Sequence, residues 1–505
     1  MMSMGSLVSG CSSEQASQAL SSGDLSKAFA PNIWFEINGA GEVLINIVRA
    51  EMGQHVGTSL AQIVADELGA DWSKVSFKHV DTDPKWGVMV TGGSWSVHTS
   101  FTQLSQAGAA GRTVIIDAAS KLMGVPAKAC SAENGVVSAG DRSLTFAEIV
   151  SNGDFSRSIS EEELAAMPVK TAAQRNIIGQ NLQNRDVEAK SQGDAVYGLD
   201  TELPGMAYAM PLLPPTRYGS RIVAIDDSAA KSIAGYIGAV QINDPTQTVQ
   251  ACVVVAAETM PAALKAAKAV RVEWVPGPTA LVTEADIVAE GERLAADPEQ
   301  GALFVNEGDV LAAKAQASVA LSATYTTSTA LHFTMEPQNA LVEFDSEGRC
   351  HIHAGNQWQS LILPVLAQAL EMPEADIVIH QYYLGGGYGR RLFGDQMIPA
   401  ALAARSLGRP VKLIFDRASD SRFDCVRSPS VCPLEAFFDS DGALTGVDHA
   451  VVAGWPTKSM APFFHPPARD GAWPELAGRY VAGDLESGGR PRDLLAALDE
   501  TVEKR

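Results

Sequence analysis

Apolar and polar residues alternate through NIWFEINGAGEVLINIV (residues 32–48), and the alternation breaks at Asn38-Gly39 and Gly41. A period of two interrupted by turn-forming residues predicts a β-hairpin. The period then changes. In HVGTSLAQIVADELGADW, Leu60, Ile63, Val64 and Leu68 recur at helical spacing, and Gly69 stands where a left-handed cap belongs. KVSFKHVDTD reads as a strand, and a helix over about 105–122 follows the glycine-rich TGGSWS. The stretch 152–194 is polar and punctuated, with SISEEELAAM as its clear helix start, so a boundary is expected there.

Beyond it, ELPGMAYAMPLLPPTRYGS leads into an α/β unit that closes with AALKAAKAVRVEWVPGP. Its helix presents Ala263, Leu264, Ala267 and Val270, and the strand AVRVEW follows. TEADIVAEGERLAAD opens on a capping box, Thr283 with Asp286. From about 317 come strands ALSATYTT, NALVEFD and CHIHAGN, then helix, strand, a glycine-rich loop, the helix QMIPAALAARSLG and the strand PVKLIFD. No unit recurs every 20–50 residues, which excludes a solenoid. The fold class predicted is α/β or α+β with mixed sheets, in two or three domains.

Composition narrows the function. The 505 residues are 46% apolar and 19% charged, as in a protein with a large core, and no apolar run approaches the ~20 residues that cross a bilayer. A net charge of −21 argues against nucleic-acid or anionic-membrane partners, though it allows one local basic pocket. The six cysteines form no C-x-x-C, so most read as small buried apolar residues. An iron–sulfur cluster within the chain is not expected, and any electrons must leave through another subunit. The start, MMSMGSLVSGCSSEQASQALSSGD, reads as a flexible leader. LVSGC superficially resembles a lipoprotein cleavage site but lacks a basic region before it. Periplasm and cytoplasm both stay open, any export signal lying upstream of Met1.

Five segments carry candidate chemistry. In YYLGGGYGRRLFGD (Tyr382 to Asp395), glycines sit between the strand IVIHQYYL and the helix DQMIPAALAARSL, where they permit φ > 0 and close approach of backbone N–H groups to a ligand. Arg390 and Arg391 either hold an anion there or lie on the surface. No lysine follows as a triphosphate loop requires, and the glycines do not fit a dinucleotide fingerprint. EMGQHVGTSL places a polar turn before a helix, with Thr58 as its cap. Thr91, Gly92, Gly93, Ser94 and Ser96 offer hydroxyl and amide donors ahead of the next helix. Met335-Glu336-Pro337 interrupts the apolar ALHFTMEPQNALVEF. Gln357 follows a strand in HIHAGNQWQS, where His351 and His353 alternate, a pattern of ordinary surface placement more than of metal ligation.

In this order the five segments resemble the large molybdopterin-binding subunit of the xanthine dehydrogenase/aldehyde oxidase superfamily. The branch is the isoquinoline 1-oxidoreductase β-subunit type, in which E-M-G-Q precedes G-G-G-[FY]-G-R-R. The resemblance runs over about 30–448 and includes LPGMAYA, the PP pair and Gly219. It implies an α+β molybdenum-cofactor-binding domain with an inserted α/β-hammerhead domain. The expected divisions are a leader at 1–30, a first cofactor-binding part at 31–190, the hammerhead at 191–280 and a second cofactor-binding part at 281–505 that stops short.

The implied cofactor is molybdopterin cytosine dinucleotide. Gly386, Gly387, Tyr388 and Gly389 would lie along its metal end with Arg390 close by, and Gln357 would bond an oxygen ligand of molybdenum. Gly53, Gln54, Thr91, Gly92, Gly93 and Ser94 would surround the pterin and phosphates. Glu336 is the carboxylate nearest this site, as a catalytic group or a residue that shapes the pocket. The implied reaction oxidises an N-heteroaromatic or aldehyde with water as oxygen source and a glutamate as base. Electrons would pass to a small [2Fe–2S] subunit, with a cytochrome c as a further acceptor.

Two departures stand out. His55 occupies a position usually held by glycine, where it would crowd the cofactor or point outward. The G-x-G-E-x-G context of the catalytic glutamate is missing; GDLESGGRP echoes it faintly and reads as chance, and PRDLLAALDETVEKR reads as a terminal amphipathic helix. The alternative is therefore a non-catalytic remnant or assembly partner.

Overall fold

A computed structural model describes residues 28–297, 307–454 and 485–486. The leader with its LVSGC segment, GDLESGGRP apart from Leu485 and Glu486, and the terminal helix lie outside the described residues.

The predicted hairpin is present and extends to four strands in the order β1 (Ala28–Asn32), β2 (Phe35–Asn38), β3 (Val43–Ile47) and β4 (Val75–His79), the β3–β4 pair being parallel. Helices α1 (Val56–Leu68) and α2 (Trp95–Met123) pack on it, burying Phe35, Ile45, Leu60, Val64 and Leu68. Gly69 caps α1 with φ 76° as predicted. Glycine lets the two helices meet: a Cβ on Gly108 would stand 2.8 Å from Glu67 Cβ, and one on Gly111 would collide with the Phe35 ring. Helix α2 starts ten residues before the expected 105. Most of its first two turns face outward, so no apolar period marks them, and Ser94 caps it in the left-handed region without a side-chain bond.

A three-stranded meander, β5 (Ser131–Glu133), β6 (Val136–Ala139) and β7 (Arg142–Thr145), leads to α3 (Phe146–Asn152). The polar stretch expected to mark a boundary, with α4 (Glu161–Ala165) and α5 (Val187–Gln192), is bound to α1. Asp66 accepts the backbone N–H groups of Asn176, Ile177 and Ile178 at 3.2, 3.0 and 2.8 Å, and Glu67 accepts that of Lys170.

The next strands are β8 (Ala207–Leu212), β9 (Arg221–Asp226), β10 (Tyr236–Gln241), β11 (Val253–Ala257) and β12 (Arg271–Val275), with α6 (Met260–Ala269). They are followed by α7 (Glu284–Ala295), with its Thr283–Asp286 capping box, and α8 (Val310–Gln316). Then come β13 (Val319–Thr327), β14 (Asn339–Phe344), β15 (Cys350–Ala354), α9 (Gln359–Leu370), β16 (Ile377–Gln381), α10 (Met397–Leu407) and β17 (Val411–Ile414). The compact unit expected at 191–280 does not keep a sheet to itself. Its β10, β11 and β8 continue into β17, β14, β15 and β16 as one seven-stranded mixed sheet, and β9–β12 forms a separate pair. Helices α9 and α10 cover the large sheet and bury Ile362, Leu366, Met397 and Ala401. After α11 (Arg417–Arg422), β18 (Ser430–Phe438) pairs with β13, with β19 (Leu444–His449) and with β20 (Val451–Ala453). The fold is the mixed α+β expected.

Cysteine placement differs from expectation. Cys252 and Cys350 are buried, but Cys130, Cys425 and Cys432 are half-buried.

Candidate functional site: three glycine loops joined by one glutamine

Each predicted glycine segment occupies the end of a strand or the start of a helix, where backbone N–H groups lack helical partners. The structure joins two of them through Gln357, which is buried at the turn between β15 and α9, and ties the third to those two. Its carbonyl accepts the Thr91 N–H at 2.7 Å, and its Nε2 donates to the Thr91 carbonyl at 2.9 Å. Its Oε1 accepts the Gly389 N–H at 3.2 Å, and its own N–H reaches the Arg391 carbonyl at 2.9 Å. Thr91 Oγ1 accepts from Ala50 N at 2.7 Å, and Leu384 N donates to the Glu51 carbonyl at 2.9 Å. The loops 50–55, 91–94 and 384–391 thus meet at one place, and the Gln357 amide retains a second N–H to offer.

Bare backbone is a steric requirement here. A Cβ on Gly387 would collide with Met52 Sδ and stand 2.7 Å from Gln357 Oε1. Gly386 and Gly389 have φ of 99° and 103°, and Gly53 has 108°, which glycine adopts without strain. Gly53, Gln54, Gly93, Ser94 and Tyr388 are exposed, so the assembled loops open outward.

The two arginines do otherwise than predicted. Neither lies on the surface; both are buried and paired with carboxylates inside the chain. Arg390 binds Asp395 at 2.7 Å and Asp424 at 3.3 Å, and Asp395 also binds Arg217. Arg391 Nη2 binds Glu336 Oε2 at 3.0 Å. Glu336 is fully engaged: Oε1 accepts from Leu199 N at 3.0 Å and Asn339 Nδ2 at 2.9 Å, and Oε2 also accepts from Gly385 N at 2.9 Å. With every acceptor direction used, Glu336 pins the glycine loop. Below it, Lys412 donates to the Gly198 carbonyl and to the carbonyl and hydroxyl of Thr201 at 2.7, 2.8 and 2.8 Å. Burial lowers the pKa of this ammonium to about 8.

A second cluster sits under the 50–55 turn. Glu51 Oε1 accepts the Gly53 N–H at 2.8 Å and binds Lys190 at 2.7 Å, while Oε2 accepts the Val56 N–H at 3.0 Å. His55 occupies a left-handed position, φ 58°, which explains why glycine suits that site, and its ring turns away to bind Asp186 at 2.7 Å. Glu51, His55 and Asp186 could together ligate a cation. The Lys190 ammonium already bridges Glu51 and Asp186. Burial works to lower the Lys190 pKa, and the two carboxylates outweigh it and raise it. Thr58 is not a helix cap: its hydroxyl is buried and accepts the Arg185 N–H at 3.0 Å.

The histidines of β15 also depart from expectation. They are half-buried in a stack with His380 of β16, His353 lying 4.5 Å from it between ring centres. His351 bonds His380 at 3.0 Å and Asp345 at 3.1 Å, and His380 bonds Asp81 at 2.8 Å. Burial, then the neighbouring rings, push His353 down to about 3, which keeps it neutral. Sequence reasoning missed Glu51, Asp186, Lys190, Asp395, Asp424 and Lys412. Only their spacing in the fold marks them, except Glu51, whose place just before Gly53 was visible.

The loops fit a molybdopterin cofactor on this geometry: exposed N–H donors at Gly93 and Ser94 ahead of a 29-residue helix, a close backbone approach at Gly387, and a glutamine with a donor in reserve. Residues 2–183 and residues 295–462 each match a family model described as a molybdopterin cofactor-binding domain. A membrane-bound aldehyde dehydrogenase (pyrroloquinoline-quinone) of Gluconacetobacter polyoxogenes is 47% identical over 446 residues, covering 88% of this chain and 58% of the relative. The beta chain of isoquinoline 1-oxidoreductase of Brevundimonas diminuta is 27% identical over 489 residues, covering 87% and 61%. One chain of the nicotinate dehydrogenase of Pseudomonas putida is 26% identical over 444 residues, covering 85% and 36%.

The chain is therefore a molybdopterin-binding polypeptide. It belongs to the large-subunit family of xanthine dehydrogenase and aldehyde oxidase. It spans about three-fifths or less of the length of these relatives. Among the described residues, no helix is long and apolar enough to cross a membrane.

Proposed function

We propose that the chain holds molybdopterin cytosine dinucleotide within a molybdenum hydroxylase that oxidises an aldehyde or an N-heteroaromatic compound with water as oxygen source. The observation that carries this reading is the convergence of the three loops, two of them bonded to Gln357 and the third to Thr91 and Leu384. The bound cofactor supplies the two-electron oxidation and the activated oxygen.

The protein's part is orientation. Gly386 to Gly389 present backbone to the metal end, with Gln357 offering its remaining N–H there. Gly53, Gln54 and the Thr91–Ser94 loop receive the pterin and phosphates. Arg390 and Arg391 act from behind: their inward ion pairs fix the loop without contacting the cofactor. Glu336 has the same supporting role, so the proton-accepting carboxylate is a different residue. Electrons pass to a small [2Fe–2S] subunit, a reading supported by the scarcity and scatter of cysteines.

The test is turnover of benzaldehyde and of isoquinoline by the cofactor-loaded complex with an artificial electron acceptor in ¹⁸O-labelled water. The expected result is one labelled oxygen in the product. Unlabelled product, or none from a molybdenum-replete complex, would refute the reading.

A further inference from the structure

The segment Leu331 to Glu336 is turned inside out. Leu331, Phe333 and Met335 are exposed, while Thr334 and Glu336 are buried and the His332 side chain is only 7% exposed. Alternation of this sense is costly in water unless the buried polar groups are bonded and the apolar ones face something. Thr334 bonds the Glu336 carbonyl, and Glu336 is fully engaged.

His332 is different. Asp424 clamps it twice, Oδ2 accepting its backbone N–H at 2.7 Å and Oδ1 lying 2.8 Å from its Nδ1. Its other ring nitrogen points to the glycine-rich loop: a Cβ on Gly389 would stand 3.5 Å from Nε2. A hollow lined by Leu331, Phe333, Arg390 and Asp424 adjoins the pair.

The contact with Asp424 fixes which ring nitrogen bears a proton. Arg217, Asp395, Arg390 and Asp424 form an alternating line of ion pairs that ends at His332. Asp424, an acceptor only, requires the proton on Nδ1. Nε2 is left as a lone-pair acceptor facing the loop, beside exposed Leu331 and Phe333. Asp420 and Cys425 are the other titratable groups near Arg390, and Arg417 pairs with Asp420 at 3.3 Å.

We propose that His332 is a substrate-contacting residue of the site, its Nε2 accepting a hydrogen bond from an O–H or N–H of an apolar small molecule lying against Gly389. This deepens the function proposed above and rests on it. Asp424 is the positioning residue that holds the tautomer.

The first test needs no cofactor, so it is independent of that function: ¹⁵N NMR of the full chain labelled at histidine, with His332→Gln used for assignment. The expected spectrum at pH 7.5 shows Nδ1 protonated and Nε2 bare; a protonated Nε2 would overturn the proposal. The second compares His332→Phe and His332→Gln at equal molybdenum content with 4-hydroxybenzaldehyde, whose O–H can donate to Nε2, as the probe. The Phe variant should lose roughly tenfold in kcat/KM, about the worth of one buried hydrogen bond, and Gln, which restores an acceptor, should recover part of it. Equal kcat/KM in all three proteins would overturn the proposal. A chain that takes up no molybdenum would instead refute the cofactor reading, with the NMR result still deciding the tautomer.

Discussion

Replacing Glu336 with Gln separates a supporting role from a catalytic one. The wild-type carboxylate receives four donors, from Leu199, Asn339, Gly385 and Arg391, at 2.9 to 3.0 Å. An amide of the same shape accepts through one oxygen only, so the donors at the other position meet an NH₂ group. Arg391, fully buried, loses its counter-charge. Breaking a buried pair from one side costs about 3–5 kcal/mol, and an unsatisfied buried donor about 1–3 kcal/mol. These overlap, so about 4 kcal/mol is expected for Glu336→Gln. Arg391→Met should cost a similar amount. The double variant, which removes both charges together, should cost at least about 2 kcal/mol less than the two singles combined. Urea unfolding followed by tryptophan fluorescence, fitted for all four proteins, gives this cycle. A Glu336→Gln loss under 1 kcal/mol, or singles that simply add, would refute the pinning role and return Glu336 to the catalytic candidates.

Other sites yield shorter tests. Gly387→Ala should destabilise by about 1–3 kcal/mol, because its Cβ meets Gln357 and Met52, whereas Gly92→Ala, whose nearest neighbour would be Leu392 at 3.6 Å, should be near neutral to thermal unfolding. Lys190→Met leaves Glu51 and Asp186 buried without their shared cation, and a loss of about 3–5 kcal/mol is expected in the same urea assay; an unchanged midpoint would mean that His55 or solvent already neutralises them. Lys412 has a folded pKa of about 8, below its unfolded value of about 10.4, so between these pH values the unfolded chain binds more protons. This group therefore adds stability as pH rises from 8 towards 10, by up to about 3 kcal/mol. The difference between wild type and Lys412→Met, measured across that range, should grow in favour of wild type, and a flat difference would contradict the shift.

The sequence made legible whatever is governed by local period and turn chemistry. Helix α1 with its Gly69 cap, the hairpin, the Thr283 capping box and the strand–glycine–helix run around Gly386 all stand where the pattern put them. The start of α2 was hidden, since Gly93 and Ser94 enter the helix through left-handed backbone and carry no capping bond. The fate of Arg390 and Arg391 was equally hidden: their carboxylates at Asp424 and Glu336 lie 34 and 55 residues away along the chain. Thr58 looked like a cap because it stands near a helix start, but its partner is Arg185, 127 residues on. The unity of the large sheet rests on the parallel β8–β17 pairing across some two hundred residues, which no local pattern encodes. The meeting of the three loops could not be read from spacing, because they come together only in the fold.

The most direct measurement is the molybdenum and cytidine monophosphate content of the purified chain, expressed in a host that makes the dinucleotide, beside a Gln357→Ala variant. The account predicts near-stoichiometric molybdenum with an equal amount of cytidine monophosphate in wild type, and marked loss of both in the variant. Equal loading of the two proteins, or neither component in a folded wild-type chain, would contradict the claim that Gln357 joins the loops into a cofactor site.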